Sequence, residues 1–226
     1  MKRFFSWASL GLVGLLSAGN LLRVESPIRP PKPEEPVDTS TLAQDAANLN
    51  KAHAYDVSAQ DLAYLTRVVY FEGVSDRRAQ TSADLTKGYD AIASVLLNRY
   101  EFDARHGTNR FGGEDGLIGV AKKNYAFSCI KDRPEFFEQS SFKNANSIAL
   151  TRGNMNAERA DAIYESLRGV LAHEKDDPTN GATYYKTGAV KDQWEGTEAF
   201  RAGGHSCKRR FTKRINSHEF FKVDCD

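Results

Sequence analysis

Between residues 57 and 100 the apolar positions fall into a helical rhythm. Leu62, Leu65, Val68 and Val69 recur at the spacing that lines one face of an α-helix, and Ser58 followed by Asp61 supplies the reciprocal capping pattern that starts one. Glu72 falls in the same arc, so a carboxylate points where the core-facing residues point, and Gly73 offers a stop. In "KGYDAIASVLLNRY", Tyr89, Ile92, Val95 and Leu96 share a second helical face that ends at Arg99. In "NAERADAIYESLRGVLAHE", Ala160, Ile163, Leu167, Val170 and Leu171 form a third, closed by the polar run from His173 to Asp177. "GATYYK" is short and aromatic enough for a strand, and "RINSHEFFK" reads as a further strand or extended segment.

The N-terminal pattern differs. Lys2 and Arg3 precede an apolar run from Phe4 to Leu16, followed by the small residues Ser17, Ala18 and Gly19, which is the layout of an export signal. Leu21 and Leu22 extend the run toward the ~20 residues that span a bilayer, so an uncleaved, weak anchor is the alternative. "ESPIRPPKPEEPVD" holds five of the seven prolines and forms a stiff, solvated spacer. The residues after it are polar and show no clear period. The expected organisation is therefore 1–22 signal peptide or anchor, 23–56 linker, and 57–226 a single folded domain.

Length and composition agree with that division. A chain of 226 residues with 40% hydrophobic and 11% aromatic content holds one globular body with appendages. A formal charge of +1 gives no global pull toward polyanions. The local run Lys208, Arg209, Arg210, Lys213, Arg214 is a candidate contact for anionic polymers, but it lacks the interleaved aromatics of single-strand nucleic-acid binders.

Glu72 is open to two readings on pattern alone. The helix frays before it and the side chain meets solvent or an arginine, or the carboxyl lines a cleft with apolar walls. Desolvation in such a cleft disfavours the charged form, and a carboxyl that keeps its proton is what general-acid cleavage of a glycosidic bond requires.

"LAYLTRVVYFEG", "GYDAIASVLLNR", "YAFSC", "DPTNGATYY", Trp194 and "INSHEFF" occur in an order and spacing that resembles the cell wall hydrolase family typified by the spore cortex-lytic enzyme SleB. The resemblance covers most of Leu62 to Phe221. It implies an α+β, mainly helical, lysozyme-like or resuscitation-factor-like catalytic domain. It also implies cleavage of peptidoglycan between N-acetylmuramic acid and N-acetylglucosamine by a lytic transglycosylase route, with no cofactor and no metal. The matching acid is Glu72, which protonates the leaving oxygen and then takes the proton of the muramic acid 6-hydroxyl.

The family commonly reads E-A-R-G-E at this corner, whereas here the chain reads "EGVSD" and adds "RRAQTSADLTK". Asp76 is the candidate second acid, for a hydrolytic muramidase with Glu72. Phe127, Ser128, Tyr184, Tyr185 and Asn98 are the expected substrate contacts, with Tyr185 favoured over Tyr184 for the groove; Arg99 and His218 read as structural. An inactive wall-binding module of the same fold, and a basic nucleic-acid-binding protein, are the readings from other classes. The expected partners are peptidoglycan glycan strands, with a membrane tether through the N-terminal segment and no nucleic acid, and the expected location is extracytoplasmic.

Cys129, Cys207 and Cys225 allow three pairings. A Cys207–Cys225 bridge flanks the "RINSHEFF" block of the family pattern and staples the chain end, leaving Cys129 free. The rival is a metal set from His205, Cys207, His218 and Cys225, which has no recognised zinc spacing.

Overall fold

The computed structural model describes residues 39–74, 81–123, 127, 157–187, 193–202 and 205–225. The export segment, the proline-rich spacer, Asp76, Ser128, Cys129 and residues 128–156 lie outside the described residues. The folded body falls within Pro36–Asp226.

The first helix, α1 (Thr39–His53), corrects the expected domain start near Val57. Leu42, Ala46 and Leu49 are buried in the main core, so part of the segment read as linker belongs to the fold. Three apolar residues in a polar run give little periodic signal; packing against the next helix, rather than propensity, holds this one. Asn50 then turns the chain. Its Nδ2 donates to Val57 O and its Oδ1 accepts from Val57 N, both at 2.8 Å.

α2 (Ala59–Val74) starts where expected. Ser58 N donates to Asp61 Oδ2 at 2.8 Å while Asp61 N donates to Ser58 Oγ at 3.2 Å, which is the reciprocal cap. Leu62, Leu65, Val68 and Val69 are fully buried, each contributing roughly 1.5–3 kcal/mol by leaving water. Gly73 does not stop the helix, which runs on to Val74. Its role is spatial: a Cβ there would lie 2.7 Å from Cδ1 and Cε1 of Tyr89. Only a glycine lets the end of α2 approach that ring.

α3 (Ser82–His106) is longer than its apolar face suggests. Thr81 caps it in a reciprocal pair with Asp84, so part of the expected insertion forms its first turns. Gly107, at φ 59°, closes it. Near its C-terminus the buried carboxylate of Asp103 accepts hydrogen bonds from Thr108 Oγ1 and from the backbone N–H groups of Arg110, Phe111 and Gly113. Those bonds fold the chain back into the short helix α4 (Gly116–Lys122). α3 packs against both α2 and α5 (Ala157–Leu171), which also meet each other; Ile163, Leu167, Val170 and Leu171 of α5 are buried as the periodicity predicts.

Four antiparallel strands follow, β1 (Tyr184–Thr187), β2 (Glu198–Ala202), β3 (His205–Ile215) and β4 (His218–Cys225), in the order β1-β4-β3-β2. The expected single extended segment "RINSHEFFK" is instead a hairpin. Asn216, at φ 52°, sits in the left-handed region that a tight turn demands, and Ile215 pairs with His218 across it. Cys207 and Cys225 face each other across β3 and β4 and are joined by a disulfide. The whole is the α+β, mainly helical domain expected.

Candidate functional site

Glu72 sits in the last turn of α2 on the face that carries Leu65, Val68 and Val69, and it is 7% exposed. The helix does not fray before it. Tyr185 Oη donates to Glu72 Oε2 at 2.7 Å, joining α2 to β1. The Tyr185 ring is in turn fixed by the buried His218, edge-on with centroids 5.5 Å apart, and by Phe220 at 5.9 Å. His218 thus packs against the ring whose phenol holds the acid.

Arg99 lies near the Glu72–Tyr185 pair. It is 5% exposed, donates from Nε to Thr183 O at 2.7 Å, and lies with Cζ 4.8 Å from the centre of the Phe127 ring. Burial lowers the guanidinium's pKa from its usual value, and the nearby Tyr185, Tyr184 and Glu72 act in the opposite direction. A buried cation, a buried carboxyl and two phenols thus share one electrostatic neighbourhood. Phe127 is 3% exposed and packs between Arg99 and Tyr185.

The two adjacent tyrosines go to different sides, as alternation along a strand requires. Tyr185 turns to Glu72, while Tyr184 packs edge-on against Phe111 at 5.5 Å in a second cluster with Phe200 and Cys207. Asn98 is not brought to Glu72. Its Nδ2 donates to Asp177 Oδ2 and to Ala182 O, each at 3.0 Å, so it braces the loop that leads into β1. Asp177 also accepts from Thr179 and Gly181. Burial opposes its ionisation, but the hydrogen bonds from Thr179, Asn98 and Gly181 outweigh that and hold its carboxyl below the ordinary 3.8. Trp194 lies tilted against Phe221, with ring centroids 5.7 Å apart.

The cell wall hydrolase family model matches residues 84–221. The chain belongs to the cell wall hydrolase family. The match includes Asn98, Phe127, Ser128, Tyr184 and Tyr185 and begins after Glu72 and Asp76. The chain is also similar to the catalytic domain of the germination-specific lytic transglycosylase SleB from Bacillus anthracis, at 20% identity over 74% of this chain and 98% of that one, with a TM-score of 0.44. A second similar structure is the catalytic domain of the Bacillus cereus SleB protein, at 20% identity over 73% and 91% of the two chains, with a TM-score of 0.40. No curated protein matches the chain significantly.

Sequence reasoning missed two features of the site's surroundings. Phe111, brought to Arg99 at 5.7 Å by the Asp103 turn, carried no signal because it lies outside every periodic segment. The close approach at Gly73 was read as a helix stop, and a helical glycine beside a large aromatic is visible only once α2 and α3 are packed. Among the described residues no group of His, Cys, Asp and Glu has the geometry of a metal site, and no helix is long and apolar enough to cross a membrane.

Proposed function

We propose that this protein cleaves peptidoglycan glycan strands between N-acetylmuramic acid and N-acetylglucosamine, with Glu72 as the single general acid and base. The observation that carries this reading is the carboxyl of Glu72, buried on the apolar face of α2 and held by the Tyr185 phenol. Glu72 gives its proton to the glycosidic oxygen as the bond from C1 breaks. Its carboxylate then accepts the proton of the muramic acid 6-hydroxyl, whose oxygen closes on C1 to leave a 1,6-anhydro end. No water is consumed, and the carboxyl returns to its starting state. Tyr185 holds the carboxyl in place through its phenol.

The N-terminal segment would direct the domain to the extracytoplasmic side, where its substrate lies, either as a cleaved signal or as a tether followed by the proline-rich spacer. The test is digestion of purified sacculi with mass spectrometry of the products, for the native chain and for Glu72→Gln. Anhydro-muramic ends that vanish in Glu72→Gln are the expected result. Reducing ends would replace the transglycosylase route by hydrolysis with a second acid such as Asp76, and intact sacculi would mean a wall-binding module.

A further inference from the structure

Among the described residues Phe211 is an exposed large hydrophobic side chain, 45% accessible, at a bulge in β3. Its ring meets the Phe221 ring edge-on with centroids 5.8 Å apart, and the half-buried Trp194 lies against the same ring at 5.7 Å. Phe211, Phe221 and Tyr184 stand in register across β3, β4 and β1, on the sheet face that Tyr185 does not share. This aromatic shelf is therefore separate from the contacts of Glu72. We propose that the shelf binds an uncharged N-acetylamino sugar of the glycan strand, a second hold on the substrate apart from the acid; this rests on the reading of the protein as acting on such strands.

The rings are fixed before any ligand arrives. Thr197 donates from N and from Oγ1 to Trp194 O, at 3.2 and 2.7 Å, which closes residues 194–197 into a tight turn. Gly196 N donates to Arg209 O at 2.8 Å and Arg209 N to Thr197 O at 2.9 Å, so the turn is tied to β3. The Arg209 guanidinium lies against the rings of both Tyr184 and Trp194, 4.9 and 5.1 Å from their centroids, and donates to Thr197 Oγ1 and Glu198 O. The Glu195 carboxylate accepts from Phe211 N and holds the bulge. A surface set in advance costs a ligand little ordering when it binds.

The charges on this face select an uncharged ligand. Arg214 and Lys186 both pair with Glu219, and Arg209 is engaged by the two rings and the turn. Lys208, Arg210 and Lys213 stand in register with Asp224, Lys222 and Phe220, which puts them on the opposite face. One oxygen of Glu195 is taken by Phe211 N, and the other has no partner among the described residues. That oxygen accepts from a hydroxyl or an acetamido N–H and repels an anion. Two partly exposed rings offer far less than the ~1,000 Å² that a stable protein interface buries. They suit the C–H face of a sugar ring, with Glu195 at its polar edge.

The chain has two tryptophans, Trp7 and Trp194, so Trp7→Phe leaves the shelf's own indole as the fluorescent reporter. The full chain carrying Trp7→Phe and Glu72→Gln is titrated with chitotetraose, an uncharged N-acetylglucosamine tetramer, and with tetragalacturonic acid, a polyanion of the same number of sugars. The expected result is a saturable change in Trp194 emission with chitotetraose and none with the polyanion. Adding Phe211→Ser should raise the half-saturating chitotetraose concentration about five-fold, and Phe211→Tyr, which keeps the ring, should leave it near the starting value. Circular dichroism of each variant checks that the exposed position has not altered the fold. No response to chitotetraose, an equal response to the polyanion, or an unchanged titration with Phe211→Ser would overturn the proposal. Self-association that Phe211→Ser abolishes would also overturn it, by making the shelf a contact between copies. Failure of the native chain to cut sacculi is a separate readout and refutes the catalytic reading instead.

Discussion

Tyr185 and Glu72 lie 113 residues apart in sequence and are joined by a 2.7 Å hydrogen bond from the phenol to the carboxyl. The bond crosses from the sheet to the helical layer, so the geometry of the acid depends on how the two layers dock. Tyr185→Phe keeps the ring that packs on His218 and Phe220 and removes only the donor. Taking this donor from a buried carboxyl costs about 1.5–3 kcal/mol, so turnover on sacculi is expected to fall roughly 10- to 100-fold and the melting temperature to drop by several degrees. Native-like turnover would remove Tyr185 from the acid's support.

Gly73→Ala tests the docking of α2 on α3. In a free helix this change would gain about 1 kcal/mol from propensity. Here the added Cβ meets Tyr89, itself 2% exposed, at 2.7 Å, and overpacking costs about 1–3 kcal/mol. The steric term wins, so the denaturant midpoint should drop. Cleavage should drop further than stability does, because the shift occurs one residue from Glu72. A raised midpoint would show that the ring yields.

The disulfide closes a loop between residues 18 apart in sequence. Loop-closure entropy for such a span corresponds to about 3 kcal/mol, or a loss on the order of 10 °C in melting temperature on reduction. Oxidised protein should contain one titratable thiol, that of Cys129. Three thiols in the exported protein would be incompatible with the bridge.

Asp177 makes the loop before β1 sensitive to acid. Its folded-state value lies below the ordinary 3.8, so its contribution is complete above the unfolded value and is lost as pH falls through the lower, folded one. Amide exchange at Gly181, whose N–H donates to Asp177 at 2.6 Å, should stay slow at neutral pH and lose protection only in strong acid. Asp177→Asn should abolish that acid dependence. Protection lost already near pH 5 would assign the loop's stability to another group.

The helical periods of α2, α3 and α5 were legible because each places enough apolar residues on one face to state its own orientation. That is why Glu72 was visible as a carboxylate on a core face, and why Ser58 and Asp61 marked the start of α2. α1 was not legible, since three buried apolar residues in a polar run acquire meaning only against a neighbouring helix. The β3–β4 turn was hidden for a related reason: Asn216 enters the left-handed region locally, but the pairing of Ile215 with His218 that shows a hairpin is a cross-strand fact.

The sequence by itself determined the main helices, the family and the candidate acid, because those rest on local period and on the identity and order of residues. Only the tertiary structure decided what surrounds the acid. The Tyr185 phenol, the buried Arg99 and the contact of Gly73 with Tyr89 join residues far apart along the chain. The same holds for Asn98, which matched the family pattern yet braces a loop instead of meeting Glu72. Periodicity says which face of a helix is buried; what that face meets is set by packing between elements, and the chemistry of a buried carboxyl follows from what it meets.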